Sequence, residues 1–195
     1  MANVPRRPLV MRAVKKLAVT GGAGEGKSTV VGILRDIGCR VASADEIVKT
    51  LWDDPLVQDR VTMALHLPLP LDKATVRNLI LSDVAARREL NSIFHAQTIE
   101  RILADSAEIV EVPLLFESCM QGLFQRVWVV TCGPEEQMNR LVSRLGDKAA
   151  AESLVHAQLS SRVKCAFADE VIRTDQPLYA VKHVVESLAR TGELV

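Results

Sequence analysis

The chain has 195 residues, of which 48% are hydrophobic, and this is enough apolar material for the core of one domain. Lys and Arg number 24, as do Asp and Glu, so the charge balance gives no reason to expect binding to nucleic acid or to a membrane surface. No apolar run approaches the ~20 residues of a membrane span, and the four cysteines are scattered, so a cytoplasmic protein without disulfides is expected.

The first sixteen residues, MANVPRRPLVMRAVKK, are basic and lack the long apolar segment of a secretion signal. We expect them to form a disordered lead-in to the domain. Either Met1 or Met11 would serve as the start of the native product, and the sequence leaves both alternatives open.

Five short apolar segments are predicted to form strands. They are residues 16–20, 40–43, 107–115, 126–131 and 169–174. Helical patterns separate them, and alternation of buried strands with helices is typical of a parallel sheet covered on both faces. The predicted class is therefore α/β. Ligands of such sheets bind beyond the carboxyl ends of the strands.

The helical segments have recognisable ends. Residues 26–37 form the first predicted helix, with Gly38 as its left-handed C-cap. Residues 53–106 are mainly helical, although the two prolines of HLPLPLD interrupt the pattern. A later helix has Pro134 at its first position and Gly146 at its end.

The segment GGAGEGKS, residues 21–28, follows the first strand and fits the pattern G-x-x-x-x-G-K-[ST]. Glycines let backbone N–H groups converge on an anion, and the following helix adds the positive end of its dipole. Lys27 supplies a mobile charge for the β- and γ-phosphates, and the Ser28 hydroxyl suits Mg²⁺. The predicted nucleotide-binding residues here are Gly22, Ala23, Gly24, Glu25, Gly26, Lys27, Ser28 and Thr29.

A small-molecule kinase fits the chain better than a GTPase, because the sequence has no N-K-x-D motif. A kinase needs a group that accepts the proton of the acceptor hydroxyl. Asp45 follows the second strand, at the same sheet edge as the glycine loop, and is a candidate for that general base. Its position fits the N-cap of the next helix equally well.

Arg140 and Arg144 are four residues apart and share one helix face with Gln137. They would form either a solvated basic face or a lid that brings guanidinium groups onto the transferring phosphoryl group. The phosphate loop favours the lid.

Six motifs follow one another along the chain: VTGGAGEGKSTV, GCRVASADEIV, FHAQTI, VEVPLLFES, EEQMNRLVSR and HAQLSSRVKCAFADEVI. In this order they resemble the dephospho-coenzyme A kinase family. The resemblance implies phosphorylation of the ribose 3′-hydroxyl of dephospho-CoA by ATP, with Mg²⁺. It implies a single P-loop NTPase domain, with a core at about 14–52, 107–133 and 167–195, a helical substrate region at 53–106 and a lid at 134–166.

Matched position by position, the resemblance implies that Asp45 is the general base and that Arg140 and Arg144 are lid arginines, with Arg140 the stronger candidate for a phosphate contact. Lys164 matches a basic residue before the A-D box. Independently of the resemblance, Glu111 lies in the third predicted strand and either holds a metal-bound water or contacts solvent. The implied substrate-binding residues are Lys73, Arg77, His95, Pro113, Leu114, Leu115 and Glu117.

The chain departs from the family pattern at four positions. Ser43 replaces the first Asp of the D-A-D box, Ala96 replaces a proline after His95, Thr174 replaces an Asn associated with adenine, and Lys73 replaces a common Arg. These departures leave adenine recognition and the details of acceptor binding open.

Two other functions stay possible from the sequence. One is another small-molecule or nucleoside-monophosphate kinase on the same scaffold. The other is a non-catalytic module that senses nucleotide and signals through its lid. The expected partners are ATP and dephospho-CoA, with no protein partner evident.

Overall fold

The computed structural model describes residues 14–191, with side chains from residue 16. Within this range five strands form one sheet, in the order β2-β3-β1-β4-β5, and each neighbouring pair is parallel. This confirms the predicted α/β class. The strands are β1 (Val14–Thr20), β2 (Val41–Ser43), β3 (Ile109–Glu111), β4 (Phe124–Thr131) and β5 (Glu170–Arg173).

Helices connect the strands and cover the sheet. They are α1 (Lys27–Asp36), α2 (Ala44–Leu51), α3 (Pro55–Leu65), α4 (Lys73–Ser82), α5 (Val84–Ala104), α6 (Pro134–Leu145), α7 (Lys148–His156), α8 (Ser161–Ala166) and α9 (Leu178–Arg190). A short 3-10 turn, Gln121–Leu123, precedes β4. No helix within residues 14–191 is both long and apolar enough to cross a bilayer.

The predicted lead-in lies mostly outside the described residues, which begin at residue 14. Its last residues belong to β1, because the strand starts at Val14, two residues earlier than predicted. Val14 pairs with Phe124 of β4, so the sheet extends back into the basic segment.

Apolar side chains of alternate strand residues fill the two faces of the sheet. Leu17 and Val19 pack on one face with α1 and α9, in a core that includes Trp128. Ala18 lies on the other face and packs in a second cluster with Ile102 of α5. The period of two in a strand explains this division, and it fixes the register of β1 between its neighbours.

The third strand is shorter than the sequence predicts. Residues 107–115 were expected to be extended, but β3 covers only Ile109–Glu111. Val112 still donates a backbone hydrogen bond to Val19 O at 3.0 Å. Pro113 has no N–H to continue the ladder, so the chain turns there. The apolar pattern of this segment arises from burial after the turn, since Leu115 is fully buried.

The helices between β2 and β3 form a subdomain with its own apolar cluster. Its fully buried centre includes Leu51 of α2 and Val61 of α3, and Phe94 of α5 packs on it. α5 is the longest of the described helices, at 21 residues, and it contacts α2, α3 and α4. This arrangement places α2 and α5 side by side at the carboxyl edge of the sheet.

Two glycines of the first helical unit give a matched test of the fold. Gly38, just after α1, has φ of 91°, and Gly32 is inside α1; a Cβ would meet no atom within 4 Å at either position. Gly38→Ala should destabilise the protein by about 1 kcal/mol, because a left-handed alanine is strained. Gly32→Ala should stabilise it by up to about 1 kcal/mol, because alanine favours helix. Urea unfolding measures both, and equal effects would contradict the left-handed end of α1.

Candidate active site

The phosphate loop connects β1 to α1 and is shaped by close approach of other elements. Gly24 and Gly26 have φ of 76° and 90°, which favour glycine. A Cβ on Gly24 would lie 2.9 Å from Leu141 Cγ of α6, and one on Gly26 would lie 2.7 Å from Thr174 Oγ1. The glycines are therefore required by packing against α6 and the end of β5 as well as by backbone conformation.

The carboxylate of Glu25 lies beneath the loop and is almost fully buried, at 1% exposure. It accepts hydrogen bonds from the backbone N–H of Gly22 and from Thr131 Oγ1, the latter at 2.9 Å. The Glu25 side chain therefore points into the fold, and the loop is held from inside by a charged group.

Two glutamines from the segment after β4 form hydrogen bonds with Ala23. Gln137 Nε2 of α6 donates to Ala23 O at 2.9 Å, and Ala23 N donates to Gln158 Oε1 at 2.9 Å. Gln158 lies between α7 and α8. The predicted lid, residues 134–166, therefore contacts the loop through a residue near its start and another in its second half.

Lys27 completes the loop from the first turn of α1. Its Nζ donates to Gly21 O and Gly22 O, both at 2.9 Å. Burial lowers the pKa of Lys27, Lys164 acts in the same direction, and the carboxylates of Glu111 and Asp45 oppose the shift. Charges from three distant parts of the chain therefore act on this one ammonium group.

Backbone donors at the loop are available for an anion. The N–H groups of Gly24, Gly26, Lys27 and Ser28 have no acceptor among residues 14–191. They border a cavity of about 580 Å³, here called the phosphate cavity, lined by Ala23, Gly24, Gly26, Lys27, Ser28, Thr29, Glu111, Arg140, Arg144, Thr174, Gln176, Leu178 and Val181. Free N–H groups at a helix N-terminus, with a lysine beside them, are suited to binding phosphate.

The two lid arginines both line the phosphate cavity but differ in their contacts. Arg140 donates to Thr174 O at 2.8 Å, to Thr174 Oγ1 at 3.1 Å and to Glu136 Oε1 at 2.8 Å. Thr174 Oγ1 in turn donates to Glu25 O at 2.7 Å. Arg144 is exposed and makes no ion pair within residues 14–191, so its charge is available to a ligand.

Asp45 lies in the first turn of α2, and it does not cap the helix. The N-cap is Ser43, whose hydroxyl accepts from Glu46 N at 3.4 Å. The serine that replaces the first acid of the D-A-D pattern therefore has a structural role. Asp45 is exposed, and its carboxylate is free to act on a ligand.

A second cavity of about 280 Å³, here called the apolar cavity, lies between α2, α5 and the turn after β3. It is lined by Ala44, Asp45, Val48, Trp52, Leu90, Asn91, Phe94, His95, Thr98, Val112, Pro113, Leu114, Ser118 and Met120. The rings of Trp52 and Phe94 pack with centroids 4.6 Å apart. Asp45 lines this cavity and follows Ser43 by two residues, and Ser43 pairs across the sheet with Glu111, which lines the phosphate cavity. Asp45 is therefore at the side of the apolar cavity that faces the phosphate cavity.

The predicted acceptor residues separate into two groups. His95, Pro113 and Leu114 line the apolar cavity. Lys73 is near its rim, with Nζ 5.9 Å from the Trp52 ring centre and 3.4 Å from Asp53 Oδ1.

The remaining three predicted acceptor residues do not line it. Arg77 is exposed on α4. Leu115 lies in the sheet core because the turn at Pro113 directs it inward. Glu117 is occupied by another contact, with Lys164.

Lys164 and Glu117 join the lid to the turn after β3. Lys164 is fully buried, and its Nζ lies 2.8 Å from Glu117 Oε1. The contact is an ion pair and not a well-aligned hydrogen bond, because Lys164 Nζ meets no acceptor at hydrogen-bonding angles within residues 14–191. Glu117 Oε1 also accepts from Leu159 N at 2.9 Å. Desolvation favours a raised pKa for Glu117, but Lys164 and backbone N–H groups hold that pKa below its usual value.

Several residues of this site were not predicted from the sequence. Two of them form hydrogen bonds that hold the phosphate loop, namely Thr131 and Gln158. Three others line the apolar cavity, namely Trp52, Asn91 and Thr98. Gln158 lies in a motif of the family resemblance, and Thr131 ends the fourth predicted strand, but neither was assigned to a site. Asn91 and Thr98 lie four residues before and three residues after His95, on the same helix face, so helical spacing was a usable signal for them.

The fold and the two adjoining cavities define a P-loop phosphotransferase for a small molecule. The sequence model of the dephospho-CoA kinase family matches residues 16–179. The chain therefore belongs to the dephospho-CoA kinase family.

A curated relative agrees with this assignment, and two solved structures agree with the fold. A dephospho-CoA kinase from Moorella thermoacetica is 30% identical over 190 residues, which cover 88% of this chain and 89% of the relative. A crystal structure from Thermus thermophilus matches the fold with a TM-score of 0.73 at 23% identity, covering 94% of this chain and all of that one. The structure of dephospho-CoA kinase from Campylobacter jejuni matches with a TM-score of 0.66 at 22% identity, covering 90% and 96%.

Removing the two charges of the Lys164–Glu117 pair separately should have unequal effects. Glu117→Gln leaves a fully buried ammonium without a counter-charge and should destabilise the protein by about 3 kcal/mol at pH 7. Lys164→Met leaves a carboxylate that is 21% exposed and still bonded to Leu159 N, so its effect should be smaller. Urea unfolding at pH 7 compares the two.

The same pair predicts a pH dependence. The pKa of Glu117 is lower in the folded protein, so its stabilising contribution is complete above its ordinary pKa and is lost as the pH falls through the folded value. The stability difference between the parent and Glu117→Gln should therefore narrow under acid conditions. A difference that stays constant down to acid pH would contradict the ion pair.

Proposed function

We propose that the protein transfers the γ-phosphoryl group of ATP to the ribose 3′-hydroxyl of dephospho-CoA, giving coenzyme A and ADP. The observation that carries this is the position of Asp45, which lines the apolar cavity and lies two residues after Ser43, the strand partner of Glu111 in the phosphate cavity. One carboxylate therefore lies where a donor and an acceptor would meet.

The phosphate cavity takes the nucleotide. The backbone N–H groups of Gly24, Gly26, Lys27 and Ser28 bind the phosphate oxygens, and the Lys27 side chain supplies a full charge for the β- and γ-phosphates. Ser28 and Glu111 line the same cavity, and their hard oxygen atoms fit Mg²⁺, with Ser28 as a direct ligand and Glu111 through water. The ion would neutralise charge on the phosphates.

The apolar cavity takes the acceptor. Its lining is largely aliphatic and aromatic, with polar side chains at a few points, which suits a ligand with a long, weakly polar arm. His95, Pro113 and Leu114 contact the acceptor in this arrangement. Lys73 lies at the rim, where an ammonium group could meet the acceptor's diphosphate.

Transfer needs one proton acceptor and cations for the phosphoryl group. The 3′-hydroxyl oxygen attacks the γ-phosphorus while Asp45 accepts the hydroxyl proton. The bond between the γ-phosphorus and the oxygen that bridges to the β-phosphate breaks, and ADP leaves. Arg144, which has no ion pair within residues 14–191, moves onto the transferring group. Arg140 is already fixed by Thr174 and Glu136, so it contacts the nucleotide from a set position.

The whole chain acts as one kinase unit, with the helical region 53–106 on the acceptor side and 134–166 as the lid. Both substrates are water-soluble metabolites, and we place the enzyme in the cytoplasm. A different small-molecule acceptor would use the same donor site, and a nucleotide sensor would bind ATP without acceptor-dependent turnover. ADP release measured with dephospho-CoA, AMP, dTMP and shikimate separates these three functions.

Lys27→Ala should nearly abolish turnover with dephospho-CoA, because the β- and γ-phosphates lose their mobile cation. Circular dichroism and the melting temperature should show an intact fold. Near-parental kcat in this variant would remove the phosphate loop from the mechanism.

Asp45→Asn should lower kcat by ~10²–10⁴ and leave the KM for ATP largely unchanged, as expected for loss of a general base. Glu46→Gln is the matched control, because Glu46 is the next exposed acid in the same helical turn, and it should keep parental kcat. Since Ser43 caps α2, Asp45→Asn should also keep parental thermal stability. Unchanged kcat with a lower melting temperature would show that Asp45 is structural.

A further inference from the structure

Helix α5 carries one polar residue in an otherwise apolar buried stripe. Its buried residues recur every four positions and are Ala86, Leu90, Phe94, Thr98 and Ile102. This spacing places them on one face of the helix. Phe94 packs in the cluster of the helical subdomain and Ile102 in the cluster under the sheet, so Thr98 lies between two apolar clusters.

The Thr98 hydroxyl has no hydrogen-bond partner within residues 14–191, although the residue is only 5% exposed. A helical threonine often donates to a carbonyl one turn earlier, and Thr98 does not. Buried polar groups nearly always have a partner. An apolar residue would fill this position of the stripe without leaving a polar group unpaired.

Thr98 lines the apolar cavity, and the other polar residues there are already satisfied or in contact with solvent. Ser118 Oγ donates to Leu114 O at 2.6 Å. Asp45 and His95 are exposed. A helical threonine has two accessible χ1 rotamers, and rotation exchanges its methyl and hydroxyl positions. The hydroxyl can therefore turn to a ligand that enters the cavity.

We propose that Thr98 is an acceptor-recognition residue, whose hydroxyl pairs with a hydrogen-bonding atom carried on an apolar part of the acceptor. This inference rests on the proposed function, because it takes dephospho-CoA as the occupant of the apolar cavity. Two parts of that molecule have the required chemistry: the adenine base and the amides of the pantetheine arm.

Thr98→Val removes the hydroxyl and keeps the shape of the side chain. It should raise the KM for dephospho-CoA about 3- to 10-fold, which is the effect of one hydrogen bond. The kcat and the KM for ATP should stay within about twofold of the parent. The melting temperature without substrates should be unchanged or higher, because an unpaired buried hydroxyl is removed. Thr98→Ser keeps the hydroxyl and should retain most of the acceptor affinity.

Thr62→Val is the matched control. Thr62 is a second threonine whose buried hydroxyl has no partner within residues 14–191, but it lies on α3 and does not line the apolar cavity. It should therefore leave the KM for dephospho-CoA unchanged. A similar rise in KM for Thr62→Val and Thr98→Val would overturn the proposal.

Competitive inhibition by AMP and by pantetheine identifies the part of the acceptor that pairs with Thr98. The inhibition constant of one of them should rise in Thr98→Val. An unchanged KM, or a raised KM with neither inhibition constant altered, would overturn the proposal, since Thr98 would then act only on the shape of the cavity. If the parent protein itself makes no coenzyme A from dephospho-CoA, the proposed function fails instead.

Discussion

The phosphate loop has its shape because residues far along the chain hold it. A glycine-rich segment has little conformational preference of its own, so its geometry must come from elsewhere. The buried Glu25 carboxylate fixes this geometry from inside the fold, because it accepts hydrogen bonds from Gly22 N and Thr131 Oγ1. Thr174, the residue after β5, donates a hydrogen bond to the Glu25 carbonyl. The shape of the anion site thus depends on β4, which pairs with β1, and on the residue that follows β5, which pairs with β4.

The same contacts join the loop to the lid and the lid to the acceptor side. Arg140 meets Thr174, and Gln158 meets the loop one short segment before α8. Lys164 of α8 then pairs with Glu117, in the turn that borders the apolar cavity. A movement of α7 and α8 would therefore disturb both substrate cavities together, which couples the two sites through ordinary side-chain contacts.

The sequence predicts well what depends on neighbouring residues. Alternating apolar segments predicted the five parallel strands, and the spacing of GGAGEGKS predicted a phosphate loop in the right context. The missing N–H of Pro113 was a local signal for the early end of β3, but local pattern could not show that Leu115 turns into the core. Nor could it show that Thr131 and Thr174 bind Glu25, because those two partners lie more than a hundred residues away.

The ammonium group of Lys27 already makes two hydrogen bonds within the loop. An ammonium group has three hydrogens, and two of them point at the Gly21 and Gly22 carbonyls. In the proposed function, this group either binds phosphate with its remaining hydrogen or first gives up its bonds to the loop carbonyls. If it gives them up, the hydrogen bonds lost offset part of those gained, so the net affinity from this lysine is smaller than its charge alone would suggest.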